Sequence, residues 1–144
     1  MNDRKEIIQE FVRSFRYLIR STRQDFAVEF EGYIPFNEFT VLRALEEDRT
    51  LRVSDVARRL NSTNSYVTLT SDKLVQKGFL IRERNDSDRR TVYMTLTDEG
   101  LTLVKKMDEI MFAYFSKTFG DISNEEMLSV MNILQKIKPN ERKV

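Results

Sequence analysis

The run Arg82-Glu-Arg-Asn-Asp-Ser-Asp-Arg-Arg-Thr-Val-Tyr-Met-Thr-Leu-Thr-Asp-Glu-Gly100 decides how the rest of the chain is read. Two short alternating segments, Leu80 to Arg84 and Thr91 to Leu96, flank a polar tip that ends in Arg89-Arg90. That pattern predicts a β-hairpin with a basic tip. Helical patterns precede and follow it, so the hairpin is an appendage to helices and not part of a large sheet. A basic hairpin beside a helix-turn-helix is a device for gripping nucleic acid.

Immediately upstream, Ser54 is suited to cap a short helix from Asp55 to Leu60, with Asp55 favourable at its positive end. Asn61-Ser62 make a turn, and Thr63 caps a helix from Asn64 to Lys77 that Gly78 stops. Two helices joined by so short a turn match a helix-turn-helix.

Working outward, Arg4 to Phe30 reads as one long amphipathic helix. Ile7, Phe11, Phe15, Leu18, Thr22 and Phe26 recur at helical steps, and Gly32 ends it. Phe36 to Glu46 forms a second helix with Pro35 near its first turn, and Arg49 to Val53 suits a short strand. Thr97 caps a long helix running to about Phe119. Ser123-Asn-Glu-Glu126 has the form of a capping box that opens a last helix, closed by Pro139 and a charged tail. The helices at the two chain ends carry more apolar surface than one subunit of this size hides. Either they pack on each other within one subunit, or, the preferred reading, they build a dimer interface. Two-fold symmetry would set two recognition helices roughly 34 Å apart on one face of DNA.

Composition removes other functions. At 144 residues the chain is one domain or one subunit of an oligomer. It has no Cys and no His, so thiolate metal sites, thiol redox sensing and the commonest general base are excluded. No Gly-rich phosphate loop and no paired acidic cluster on an apolar background occur, so neither an enzyme nor a metal or other cofactor is expected. No apolar run is long enough to span a membrane, and the opening Met-Asn-Asp-Arg-Lys-Glu is no signal peptide. A cytoplasmic protein is expected. The net charge of +1 conceals an asymmetry: Leu51 to Tyr93 holds nine basic and five acidic residues, the remainder 15 and 18. A basic middle in a slightly acidic body suits a localised polyanion surface.

With these elements in order, the sequence resembles the MarR family of bacterial transcription regulators. The resemblance rests on Leu51-Arg-Val-Ser-Asp-Val-Ala-Arg-Arg-Leu60, Val67-Thr68 and Leu74-Val-Gln-Lys-Gly-Phe-Leu80. It continues through Arg82, Asp86, Asp88-Arg89-Arg90 and Leu96-Thr-Asp-Glu-Gly100. It implies a mainly α fold with a small β-hairpin wing (α+β), a winged helix-turn-helix with long N- and C-terminal dimerisation helices. Residues 1–144 would be a single subunit, 34–96 its DNA-binding part, and 4–30 with 97–138 its dimerisation part. The function implied is a homodimeric, sequence-specific regulator, usually a repressor, that binds double-stranded DNA and is released by a small-molecule inducer. Arg90 would be the wing arginine that enters the minor groove, and Asp88 the acid that orients it.

The recognition helix departs from the family pattern. Leu69 stands where many relatives are basic, and Thr70 and Ser71 replace residues that are commonly apolar and inward-facing. Base readout then falls to Asn64, Ser65 and Thr68, with Leu69 against a thymine methyl, which predicts an AT-leaning site. Ser62, Thr63 and Tyr66 at the helix entrance, with Arg52, Arg58, Lys73, Arg82, Arg84 and Arg89, are the candidate phosphate contacts. The early aromatic residues are either core or, as in relatives, the wall of a ligand pocket. In the second case Phe15, Arg16, Tyr17, Arg20, Tyr33 and Phe36 are its candidate residues. The absence of a basic residue on the recognition helix before Lys73 leaves one alternative from another class, a winged-helix module that binds protein.

Overall fold

The computed structural model describes residues 3–140. The chain divides into two compact units, one reaching Phe36 and one beginning at Asn37.

The first unit is dominated by α1 (Arg4–Glu29), in which the expected stripe is present but uncovered. Ile7, Ile8, Phe11, Val12, Phe15, Leu18 and Ile19 are all exposed, and Phe26 is the one buried residue of the helix. Phe11 and Phe15, one turn apart, stack with ring centroids at 6.4 Å. At the end of the unit Phe26 stacks on Phe30 at 5.4 Å and on Phe36 at 5.3 Å, a small aromatic cluster that anchors the turn leaving the helix.

Next come α2 (Phe36–Ala44), β1 (Thr50–Arg52), α3 (Val53–Arg59), α4 (Asn64–Gln76), β2 (Leu80–Arg84), β3 (Val92–Leu96), α5 (Asp98–Thr118) and α6 (Asn124–Lys136). The hairpin strands pair antiparallel, Leu80 opposite Leu96 and Arg84 opposite Val92. The sheet has a third member: β1 pairs with the other edge of β3, Leu51 opposite Met94, giving the order β1-β3-β2. Alternation along β3 sends Met94 and Leu96 inward. There they join a core of Phe39, Leu42, Leu45, Val56, Val67, Leu74, Leu80, Val104 and Met107. Thr70 and Ser71 are buried as the family comparison of the sequence implied, and the Ser71 hydroxyl is satisfied by donating to the Thr68 carbonyl at 3.0 Å.

Several boundaries differ from expectation by one or two residues, and three of the shifts have a visible cause. The cap expected at Ser54 does not form: α3 begins at Val53, preceded by extended Arg52 with no side-chain cap. Arg52 is still paired with Tyr93 in the sheet, so the chain enters the helix directly from a strand and has no room for a capping turn. Helix α2 ends at Ala44, two residues early, because the Leu45 and Glu46 amides bond back to the Leu42 and Arg43 carbonyls in a tightened last turn. Thr91 belongs to the hairpin tip, its amide donating to the Asp88 carbonyl at 3.0 Å, so β3 starts one residue later.

The junction of the wing with α5 is close-fitting. Thr97 accepts the Gly100 amide as the expected cap and donates its hydroxyl to the Gly78 carbonyl at 2.8 Å. A Cβ on Gly100 would sit 2.3 Å from the Phe79 carbonyl oxygen, so only glycine lets the helix start approach that backbone. The capping box at Ser123 and Glu126 is complete, yet α6 buries none of its residues. Leu128, Val130, Met131, Ile133, Leu134 and Ile137 remain exposed.

Candidate nucleic-acid interface

The face that α4 leaves uncovered is set by helical period: Val67, Thr70, Ser71 and Leu74 point inward. Asn64, Ser65, Tyr66, Leu69, Asp72 and Lys73 therefore share the outward side. The helix starts as predicted, with the Thr63 hydroxyl accepting the Tyr66 amide at 3.1 Å. That bond uses the acceptor side of Thr63 and leaves its O–H to donate, and the first-turn amides attract anions. Ser62 is half-buried at this entrance. Leu69, 68% exposed, is an apolar side chain presented to solvent in the middle of an otherwise hydroxyl- and amide-rich surface.

The wing tip is a turn held by its own side chains. Asn85 Oδ1 accepts from the Ser87 amide and hydroxyl at 2.9 and 2.7 Å. Asp88 Oδ1 accepts from the Arg90 amide at 3.1 Å and from Arg90 Nε at 3.2 Å. The guanidinium is thus aimed by one carboxylate while its side chain stays 93% exposed. Arg84 Nη1 donates to the Arg89 carbonyl at 3.4 Å, tying the rising strand to the tip.

Between the first turns of α4 and the wing lies a concave groove of about 370 Å³, lined by Arg52, Arg82, Arg84 and Arg90 together with Asn64 and Thr68. Eight of the fifteen residues proposed from sequence to meet DNA fall on this groove or on the tip that bounds it: these six with Asp88 and Arg89, whereas Arg58 lies in the last turn of α3. Ser65, Tyr66, Leu69 and Lys73 lie on the outward side of α4, and Ser62 and Thr63 at its start. The cations differ in availability. Among the described residues Lys73, Arg84 and Arg89 carry no ion pair. Arg52 donates to both oxygens of Asp55 at 3.0 and 3.3 Å, and Arg58 reaches the same carboxylate at 3.2 Å. The Arg52 hydrogen bond is the main cause that holds the Asp55 carboxyl below its ordinary range. Arg82 is paired with Asp72 of α4. In the sequence Asp55 reads only as a favourable charge at the start of its helix, and Asp72 is given no role. The three-residue spacing from Arg52 to Asp55 was a usable signal, whereas Asp72 and Arg82 meet only through the fold.

The six candidate ligand residues are not brought together. Phe15, Arg16, Tyr17 and Arg20 lie along the exposed surface of α1. Tyr33 and Phe36 follow the helix in sequence, and Phe36 folds back onto Phe26 at 5.3 Å. Arg16, Tyr17 and Arg20 flank a shallow hollow with Ile8 and Val12. Phe36 belongs to the aromatic cluster with Phe26 and Phe30.

Comparison with known proteins points in one direction. The family model described as MarR matches residues 34–92. The chain is 34% identical over 114 residues to the transcriptional repressor MdtR of Bacillus subtilis, covering 77% of this chain and 71% of the relative. It is 26% identical over 137 residues to the transcriptional regulator YpoP of the same organism, covering 95% and 97%. Its fold is similar, with a TM-score of 0.82 at 18% identity, to that of an Escherichia coli MarR variant solved with operator DNA, covering 96% of this chain and all of that one.

Proposed function

The chain belongs to the MarR family of helix-turn-helix transcriptional regulators, and from that premise we propose that it is a homodimeric, sequence-specific repressor of pseudo-palindromic DNA. The observation that carries the reading is the joint presentation of an uncovered α4 face, a groove lined by arginines and an exposed, carboxylate-aimed Arg90. Helix α4 enters the major groove, where Asn64 suits adenine and Leu69 suits a thymine methyl. Arg90 enters the adjacent minor groove, whose narrow AT-rich form concentrates negative potential. Repression is carried over from relatives such as MdtR.

The dimer is supported by the uncovered apolar side chains of α1 and of α6, which a lone subunit leaves in water. A small amphipathic inducer, if one acts, works by preferring one separation of the two recognition helices, which lowers DNA affinity by that preference alone.

A gel-shift titration with the chain's own upstream DNA, comparing wild type with Arg90→Ala, tests the reading. A specific shift that Arg90→Ala weakens supports it. If about six phosphates are neutralised, log affinity falls against log salt with a slope of about −5. No shift from either protein at low salt favours the protein-binding winged-helix module, for which the lack of a cation on α4 before Lys73 speaks.

A further inference from the structure

Arg82 differs from the other arginines of the groove. Along β2 the period of two puts Leu80, Arg82 and Arg84 on one face of the sheet, the face from which Leu80 enters the core beside α4. From there the Arg82 guanidinium reaches Asp72 on the outward side of α4, and its side chain is only 31% exposed, against 50% for Arg52 and 93% for Arg90. Asp72 is at the same time an acid on the surface that would face a polyanion. Unpaired, it would repel phosphate; paired, it spends its charge on the wing.

We infer that Asp72 and Arg82 form a brace that locks the recognition helix to the wing, making Asp72 a positioning residue for sequence-specific binding. This rests on the proposed DNA-reading function. In the braced state the helix and Arg90 address the major and minor grooves in one fixed relation, so a site must satisfy both at once. Without the brace the wing moves independently of α4, and the freed Arg82 joins the phosphate contacts. Discrimination falls while indiscriminate affinity rises.

The test uses the full chain with two fluorescent duplexes, one selected from a random library by the wild-type protein and one of scrambled sequence. Anisotropy titrations are made across a range of KCl concentrations. Asp72→Asn is expected to lower the selected-to-scrambled affinity ratio about tenfold. It should also steepen the salt slope on the scrambled duplex by about one, as one more phosphate is neutralised. Glu83→Gln, which removes an exposed acid from the opposite face of β2, controls for charge alone and leaves the ratio unchanged. Asp72→Glu, which keeps the acid, retains wild-type behaviour. If wild type discriminates and Asp72→Asn keeps its ratio and its slope, the brace is refuted and the DNA reading stands. If wild type binds both duplexes equally, the DNA reading fails and the brace falls with it.

Discussion

Lys77 Nζ donates to Glu38 Oε1 at 2.7 Å, which joins the C-terminal cap of the recognition helix to α2 through a carboxylate only 3% exposed. The lysine is 42% exposed, so the pair has one buried and one partly solvated member. Removing the cation strands a buried charge, whereas removing both partners strands nothing. Lys77→Met is therefore expected to destabilise the protein by about 3 kcal/mol, the low end for a broken buried pair because water reaches the lysine side. Lys77→Met with Glu38→Gln should recover most of that loss. Urea denaturation of the four members of the double-mutant cycle measures it, and equal losses in the single and double variants would contradict it.

The second prediction concerns the approach of α5 to the wing. Gly100→Ala places a methyl group against the Phe79 carbonyl, a backbone atom that cannot rotate away. A loss of about 1–3 kcal/mol is expected, the range of overpacked sites. Thermal unfolding followed by circular dichroism reads it directly, and an unchanged Tm would mean that the junction opens at little cost.

A pH dependence follows from Glu46, whose carboxyl is raised above its ordinary value of 4.5 by burial first and by the neighbouring Asp108 second. Arg43, whose Nε lies 3.5 Å from Asp108, and Lys105 act in the opposite direction. A carboxyl raised by folding favours the folded state while it is protonated. That contribution is complete below the unfolded value and is lost as pH climbs through the folded one. Glu46→Gln keeps the neutral form at all pH values. Its Tm should match wild type near pH 4 and exceed it increasingly toward pH 7; a constant difference would exclude this origin.

Assembly gives the fourth prediction. Phe11→Glu puts a charge in the middle of the uncovered α1 stripe, where Phe11 stacks on Phe15. If α1 meets a second copy, sedimentation should show a shift from dimer to monomer with the helical circular dichroism of the monomer retained. DNA affinity should fall at the same time, because two half-sites are no longer bound as one unit. A variant that still sediments as a dimer would remove α1 from the interface.

The local features of the chain were legible residue by residue, because capping and periodicity are written in neighbouring positions. Thr63, Thr97 and Ser123 cap the helices that their spacing announces, and Met94 and Leu96 face inward as alternation requires. The roles of Asp88 and Arg90 come from the family resemblance, not from a local pattern, and their contact spans two residues of a tight turn. Ser54 was misread because its role depended on a pairing with β3 some forty residues away, which no local pattern encodes.

What the sequence by itself determined is therefore the order and type of the elements, the identity of the wing and the chemistry available on α4. Only the tertiary structure decided which charges remain free. Asp72 and Arg82 are ten residues apart, and Glu38 and Lys77 are 39 apart, so their meeting depends on how α2, α4 and β2 pack. Coulomb attraction and desolvation act through space, and so the cations that count for DNA are known only once the acids have been placed beside them.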